Sequence, residues 1–347
     1  MAKRTLLGPA LLLVSATAAW SQQPEKPKAL EELKRYAGDW ASEITSKQAE
    51  WTPAEVKYQA SSHGEFVLNG WHLLNVEVNH VVGQPDRIAK ALWMTSYDEP
   101  SKTYVTWSFH SSGVVARWSG NWLADERQFR YAPSEPLDGM TALFREQFPQ
   151  ENAIAGALTF KKADGAMLLD MEWTRTKQPA AQPNPLREQW SKIGTPIEPI
   201  PDEMKHLDPF VGDWDAEFIQ KPSIAFPNGN TAKAKMTVQR ILDGRFLLGS
   251  TELPSYQSLW VVGYDAQAKA YRSIRWGNDG RIVDGIGQWN AENRALELTG
   301  GLRAPNNLTV KSTWRIVSAD VTESTTKATL DDGRVQLDAV IKSTRRK

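Results

Sequence analysis

Gly38-Asp39-Trp40-Ala41-Ser42-Glu43 and Gly212-Asp213-Trp214-Asp215-Ala216-Glu217 are one short phrase written twice, 174 positions apart. The repetition extends outward in both directions. Leu68-Asn69-Gly70 followed by Leu73-Leu74 returns as Leu242-Asp243-Gly244 followed by Leu247-Leu248, again 174 positions on. Leu92-Trp93, Tyr97-Asp98, Lys102 and Tyr104 return as Leu259-Trp260, Tyr264-Asp265, Lys269 and Tyr271, now 167 positions on. Gly113, Gly120, Trp122 and Arg127 match Gly280, Gly287, Trp289 and Arg294 at the same spacing; Gly165, Leu169 and Asp170 match Gly333, Leu337 and Asp338 at 168. The order is kept and the offset drifts by only a few residues. That period is far longer than the roughly 20–50 residues of solenoid repeats, so the chain reads as two copies of one domain. The copies are expected over 30–177 and 204–347, joined by a stiff Pro-rich linker, 178–203.

Within each copy the pattern is strand after strand. Segments such as HLLNVEVNHVV (72–82), TYVTWSFHS (103–111) and SLWVVGY (258–264) are short and rich in Val, Thr and aromatics. Turn residues separate them, as at Asp98-Glu99-Pro100-Ser101-Lys102, Asp279-Gly280 and Asp332-Gly333. Only Leu30–Tyr36 and Met204–Leu207, just before each Gly-Asp-Trp, read as helical. Hairpin-linked strands without crossover helices predict an all-β chain of two tandem antiparallel up-and-down barrels, each led by a short helix.

This order of motifs resembles the calycins, the lipocalin-like β-barrels, and most closely the bacterial domain-of-unknown-function family 1579. Gly-x-Trp after a short helix, Tyr-Asp-x-x-x-Lys-x-Tyr at a hairpin (97–104 and 264–271) and a later Gly-x-Trp (120–122 and 287–289) carry the likeness. The resemblance spans nearly all of both copies. It implies that a basic side chain from the last strand packs over the Trp that closes one barrel end. Trp40 would meet Arg175 or Lys177, and Trp214 would meet Arg345 or Arg346. The resemblance brings no catalytic residue with it, and no cofactor is expected.

The 347 residues include 15 Trp, 5 His and no Cys, with 41 Lys plus Arg against 41 Asp plus Glu. Without Cys there is no disulfide framework, no thiolate metal site and no lipoprotein anchor. Zero net charge argues against nucleic acid as the main partner. At the N-terminus, Lys3-Arg4, the apolar run Leu6–Val14 and the small-residue stretch Ser15–Ser21 read as an export signal over 1–21, followed by a disordered leader, 22–29. The apolar run is about half the roughly 20 residues that a spanning helix needs. A secreted or periplasmic mature protein without a membrane span is the expectation.

No Gly-x-Ser-x-Gly, P-loop or dinucleotide fingerprint is present, and the Asp residues shared by both copies sit where Asp caps turns. No catalytic residue and no metal site is therefore assigned, and an enzyme acting at an undescribed site is the least motivated reading. Four of the five His lie in the first copy, as do most of the unmatched Trp. His80 shares parity with Leu74, Val76 and Val78; His110 shares it with Tyr104, Thr106 and Ser108; Trp107 shares it with Val105 and Phe109. Trp71, His80, Trp107, Phe109, His110 and Arg117 are therefore the candidate lining of a ligand cavity in the first barrel, for a small apolar or amphipathic molecule. Two alternatives stay open. One is a filled barrel that serves structure or protein interaction. The other is a haem-binding barrel that uses one of these His.

Overall fold

The computed structural model describes residues 25–180, 199–302 and 308–347, with Trp190, Lys192, Gly194 and Pro196 from the linker. The candidate signal, the first three residues of the leader and most of the linker lie outside the described residues.

Among the described residues, twenty strands form two closed antiparallel barrels of ten. Barrel 1 comprises β1 (Gly38–Ser46), β2 (Val56–Val67), β3 (His72–Val81), β4 (Gln84–Asp98), β5 (Thr103–His110), β6 (Val115–Leu123), β7 (Gln128–Pro133), β8 (Met140–Gln150), β9 (Ala153–Lys162) and β10 (Met167–Gln178). Barrel 2 comprises β11 (Gly212–Gln220), β12 (Asn230–Ile241), β13 (Phe246–Glu252), β14 (Gln257–Asp265), β15 (Ala270–Gly277), β16 (Ile282–Asn290), β17 (Ala295–Leu302), β18 (Leu308–Ser318), β19 (Val321–Leu330) and β20 (Val335–Arg345). Each strand pairs with its sequence neighbours, and the first closes on the last, so neither barrel has a free edge. The chain is thus the pair of up-and-down barrels that its repeat and turn chemistry predict.

The shared motifs explain themselves physically. A 3-10 helix, Lys28–Tyr36 in barrel 1 and Asp202–Phe210 in barrel 2, runs into each first strand. Gly38 (φ 108°) and Gly212 (φ 135°) turn the chain at that junction, in a region that side chains disfavour. Trp40 Nε1–H then donates to Tyr36 O (3.0 Å), and Trp214 Nε1–H to Phe210 O (2.9 Å), which ties the Trp to its helix. The hairpin Tyr does the same from the other side. Tyr104 Oη donates to Ala29 O and Tyr271 Oη to Glu203 O, each at 2.7 Å. Lys177 lies 5.5 Å from the Trp40 ring and Arg345 lies 4.3 Å from the Trp214 ring.

The barrels meet along a seam built from equivalent strands. Leu92, Met94, Trp107 and Phe109 of barrel 1 pack with Phe246, Val261, Ile274 and Trp276 of barrel 2. Phe109 lies edge-on to Phe246 (5.5 Å between ring centres) and to Trp276 (6.2 Å). Trp71 packs over Gly280, and its positional equivalent Arg245 packs over Gly113, so the seam has approximate two-fold symmetry. Lys90 and Asp243 form a buried ion pair across it (2.6 Å), and Lys90 also donates to Lys192 O in the linker (2.6 Å). Gly194 N–H donates to Asp243 Oδ1 (2.9 Å) and Trp190 Nε1–H to Ala91 O (3.0 Å), so the linker straps the seam. Just before β3 and β13, Leu68 and Leu242 both take left-handed backbone (φ 52° and 50°), a strained state that recurs at matched positions of the seam.

Candidate functional site

The pairing registers decide which side chains face inward. Residues directly opposite across a ladder share a face. Trp173 pairs with Ile44 and Gly156, and Arg175 pairs with Ser42 and Ile154. Glu77 pairs with Ser62 and Ala91, Trp93 with Asn75 and Ser108, and Glu146 with Phe129 and Gly156. All of these face the interior of barrel 1.

That interior is aromatic and charged together. Phe144 meets Trp173 (5.6 Å), Trp118 (5.8 Å) and Trp93 (6.0 Å), and Tyr36 on the leading helix meets Phe129 (5.4 Å). Among them Arg175 Nη2 lies 3.4 Å from both Glu77 Oε2 and Glu146 Oε1, and its guanidinium lies 5.9 Å from the Trp173 ring. Trp173 Nε1–H donates to Glu146 Oε1 (3.0 Å). Burial raises the Tyr36 phenol well above its usual range, reinforced by Glu146, so its hydroxyl stays protonated at neutral pH. The trio Glu77, Glu146 and Arg175 carries two carboxylates against one guanidinium.

Many polar atoms here have no hydrogen-bond partner among the described residues. Donors or donor-acceptors are Tyr36 Oη, Ser42 Oγ, Ser62 Oγ, Trp93 Nε1, Trp118 Nε1 and Arg175 Nε; acceptors are Asn75 Oδ1, Glu77 Oε2 and Asn79 Oδ1. An unmet buried polar group costs about 1–3 kcal/mol. Even leaving out Glu77 Oε2, which faces Arg175 Nη2, and Tyr36 Oη, which lies close to Glu146, seven such costs would match or exceed the whole stability of an ordinary domain, about 5–15 kcal/mol. Partners outside the polypeptide are therefore required, whether water or ligand.

The residues singled out from the sequence fall differently. Trp107, Phe109 and Arg117 sit on the outer face of barrel 1. Trp107 and Phe109 fill the seam, and the Arg117 guanidinium lies 5.5 Å from the Trp107 ring. Trp71 covers Gly280 of barrel 2, and His80 lies on the outer face with Val76 and Val78, which pack in the seam. Of the six, only His110 faces inward, edge-on to Trp93 (5.4 Å), and burial pushes its pKa down to about 4. The expected parity groups hold together; those of His80 and of Trp107 face the second barrel rather than a cavity, and that of His110 faces the interior of barrel 1. Arg175, expected as a partner of Trp40, lies inside the barrel instead, and Lys177 takes the place over Trp40. Glu77, Glu146 and the inward Asn75 and Asn79 were not anticipated. Their signal is a charged or amide residue inside an apolar run, as in Leu74-Asn75-Val76-Glu77-Val78-Asn79.

Barrel 2 has a different interior. A small cavity of about 40 Å³ is lined by Trp214, Trp260, Trp314, Met236, Thr251, Ser343 and Arg275, among others. Among the described residues, no group of three His, Asp or Glu could hold a metal ion, and no helix is long and apolar enough to cross a membrane.

Residues 201–345, which include the strands of the second barrel, match the sequence profile of DUF1579, a family of proteins of unknown function. No curated protein matches the chain. Solved structures to which the chain is similar include an S-type phycobiliprotein lyase from Guillardia theta, at 12% identity and TM-score 0.33, covering 44% of this chain and 94% of that one. Rv2717c from M. tuberculosis is 14% identical with TM-score 0.35, covering 45% of this chain and 100% of that one. A DUF3598 protein of unknown function from Nostoc punctiforme is 11% identical with TM-score 0.25, covering 92% of this chain and all of that one.

Proposed function

We propose that the protein binds a small amphipathic molecule inside barrel 1. The observation that carries this is the set of unpartnered polar atoms on the inward face, gathered around the Glu77–Arg175–Glu146 trio. Donors (Trp93, Trp118, Arg175) and acceptors (Asn75, Glu77, Asn79) are both present, so the ligand needs both kinds of group. The surrounding Trp and Phe rings suit a flat apolar face. A filled barrel that serves as a scaffold is the competing reading, favoured by the dense aromatic contacts in the same interior. Waters would then meet the polar atoms.

Native mass spectrometry of the protein purified from its own host separates the two. A co-purifying molecule, lost in Arg175→Met and accompanied by a change in Trp fluorescence, is expected. Protein that is consistently bare, with Trp emission indifferent to added compounds, would overturn ligand binding in favour of the scaffold. A Soret band would instead identify the molecule as haem. We also propose export, supported by the basic, apolar and small-residue order of 1–21. N-terminal sequencing of the mature protein should start close to Gln22, and an intact Met1 would overturn it.

A further inference from the structure

Superposing the repeats by their registers shows what became of the charged trio. Glu77 pairs with Ser62 in barrel 1, and Thr251 pairs with Met236 at the same place in barrel 2. Glu146 pairs with Phe129 and Trp314 with Leu296; Arg175 pairs with Ser42 and Ser343 with Ala216. Barrel 2 has thus lost both carboxylates and the guanidinium, and Thr251, Trp314 and Ser343 line its cavity instead. A new cation arrives on another strand. Arg275 pairs with Trp260 where Ser108 pairs with Trp93 in barrel 1.

Arg275 makes no hydrogen bond or ion pair to a described residue, and it borders the cavity. The phenol of Tyr256 lies nearby, but burial pushes its pKa up to about 12, so it does not neutralise the guanidinium. Glu323 also borders the cavity, yet its carboxylate is committed to Arg315 (2.8 Å). Trp260 Nε1 and Ser258 Oγ, on the same inward face, are buried without a hydrogen-bond partner among the described residues, and both can donate. A half-buried cation without a counterion is costly, and buried donors without acceptors add to the cost.

We propose that barrel 2 binds a carboxylate anion against Arg275, in the space that the trio occupies in barrel 1. One guanidinium balances one negative charge. The indole N–H and the hydroxyl meet the remaining carboxylate lone pairs, and Trp214, Trp314 and Met236 supply an apolar wall for whatever the carboxylate is attached to. A cavity of about 40 Å³ is the space of roughly three waters, which suits a carboxylate head. The head can belong to a short acid or to a longer chain that displaces the wall. This site is independent of the barrel 1 ligand.

The test uses the full-length protein, with Trp fluorescence and melting temperature followed against sodium acetate, sodium octanoate, octylamine and 1-octanol. Carboxylates are expected to bind. Arg275→Met should weaken them at least about tenfold, the usual scale for losing a charged hydrogen bond. Arg275→Lys should retain most of the affinity. If Arg275→Met does not fold, Thr251→Glu restores the carboxylate of barrel 1 beside the cavity and should exclude anions by the same margin. Acetate binding as tightly as octanoate identifies a short acid; octanoate binding much more tightly identifies the head of a longer chain. Equal binding of octylamine or 1-octanol, carboxylate affinity unchanged in the variants, or no carboxylate binding at all would overturn the site. That failure would leave the barrel 1 assignment standing, because its test reads a co-purified molecule.

Discussion

Barrel 1 and barrel 2 share a scaffold down to single hydrogen bonds, and they differ almost wholly in what they enclose. The helix-to-Trp bond, the hairpin Tyr and the strained Leu are duplicated. Ser42, Ser62, Asn75, Glu77, Glu146 and Arg175 inside barrel 1 correspond by register to Ala216, Met236, Gly249, Thr251, Trp314 and Ser343 inside barrel 2. Gly249 shows what such an exchange does locally. Any side chain there would strike the Trp260 ring, so loss of the amide of Asn75 lets the indole lie flat against the wall. The difference teaches that closure of the barrel and content of the barrel are separable. The outer ladders and end plugs hold the shape, so the inward positions are free to change charge.

The most damaging way to break the comparison is at the seam, which belongs to both halves. Asp243→Ala strands the buried Lys90 and should cost about 3–5 kcal/mol, read by denaturant unfolding. Surface carboxylates such as Asp332 should cost far less under the same measurement. Next comes the trio. Arg175→Met leaves Glu77 and Glu146 facing one another without a cation and should cost about 3 kcal/mol, whereas Ser343→Ala at the matched position should change stability by less than about 1 kcal/mol.

Acid sharpens the contrast further. Burial holds His72 and His110 down at about 4, and their matched positions in barrel 2 are Phe246 and Gly277. Below the unfolded pKa near 6.5 the unfolded chain takes up protons that the folded chain refuses. Stability is therefore full above about pH 7 and falls as the pH drops towards 4. At pH 5 the loss is roughly 2 kcal/mol for each histidine. His72→Gln should flatten part of that slope, seen in melting temperature against pH between 5 and 7. The smallest effect belongs to the end plugs. Arg345→Ala removes hydrogen bonds to Val211 O (2.5 Å) and Pro209 O (3.0 Å) as well as the ring contact, and should cost about 1–2 kcal/mol. Lys177 offers Trp40 the ring contact alone, so Lys177→Ala should cost clearly less.

The repeat made the architecture legible because turns and end plugs depend on particular residues. Gly38 needs its positive φ, and Trp40 needs a carbonyl four residues back. The site was less legible because period two assigns residues to a common face without saying which face is inside. β5 makes the difficulty concrete. Six successive residues, Tyr104–Phe109, are buried, one face in the barrel and the other in the seam, so no solvent-facing side marks the exterior. Trp107 and Phe109 then look like a cavity wall when they are a contact between domains. Glu77, Glu146 and Arg175 lie on strands far apart in sequence, and only closure of the barrel brings them together.

The seam carries a consequence for each half taken alone. Both halves contribute the same strands in the same sense, so the patch on either is nearly self-complementary, the hallmark of an isologous contact. A barrel freed from its neighbour would expose either Leu92, Met94, Trp107 and Phe109 or Phe246, Val261, Ile274 and Trp276, and would find its best match in another molecule of itself. The covalent tandem is in that sense a homodimer with its two subunits on one chain, and the linker removes the dependence of its assembly on concentration.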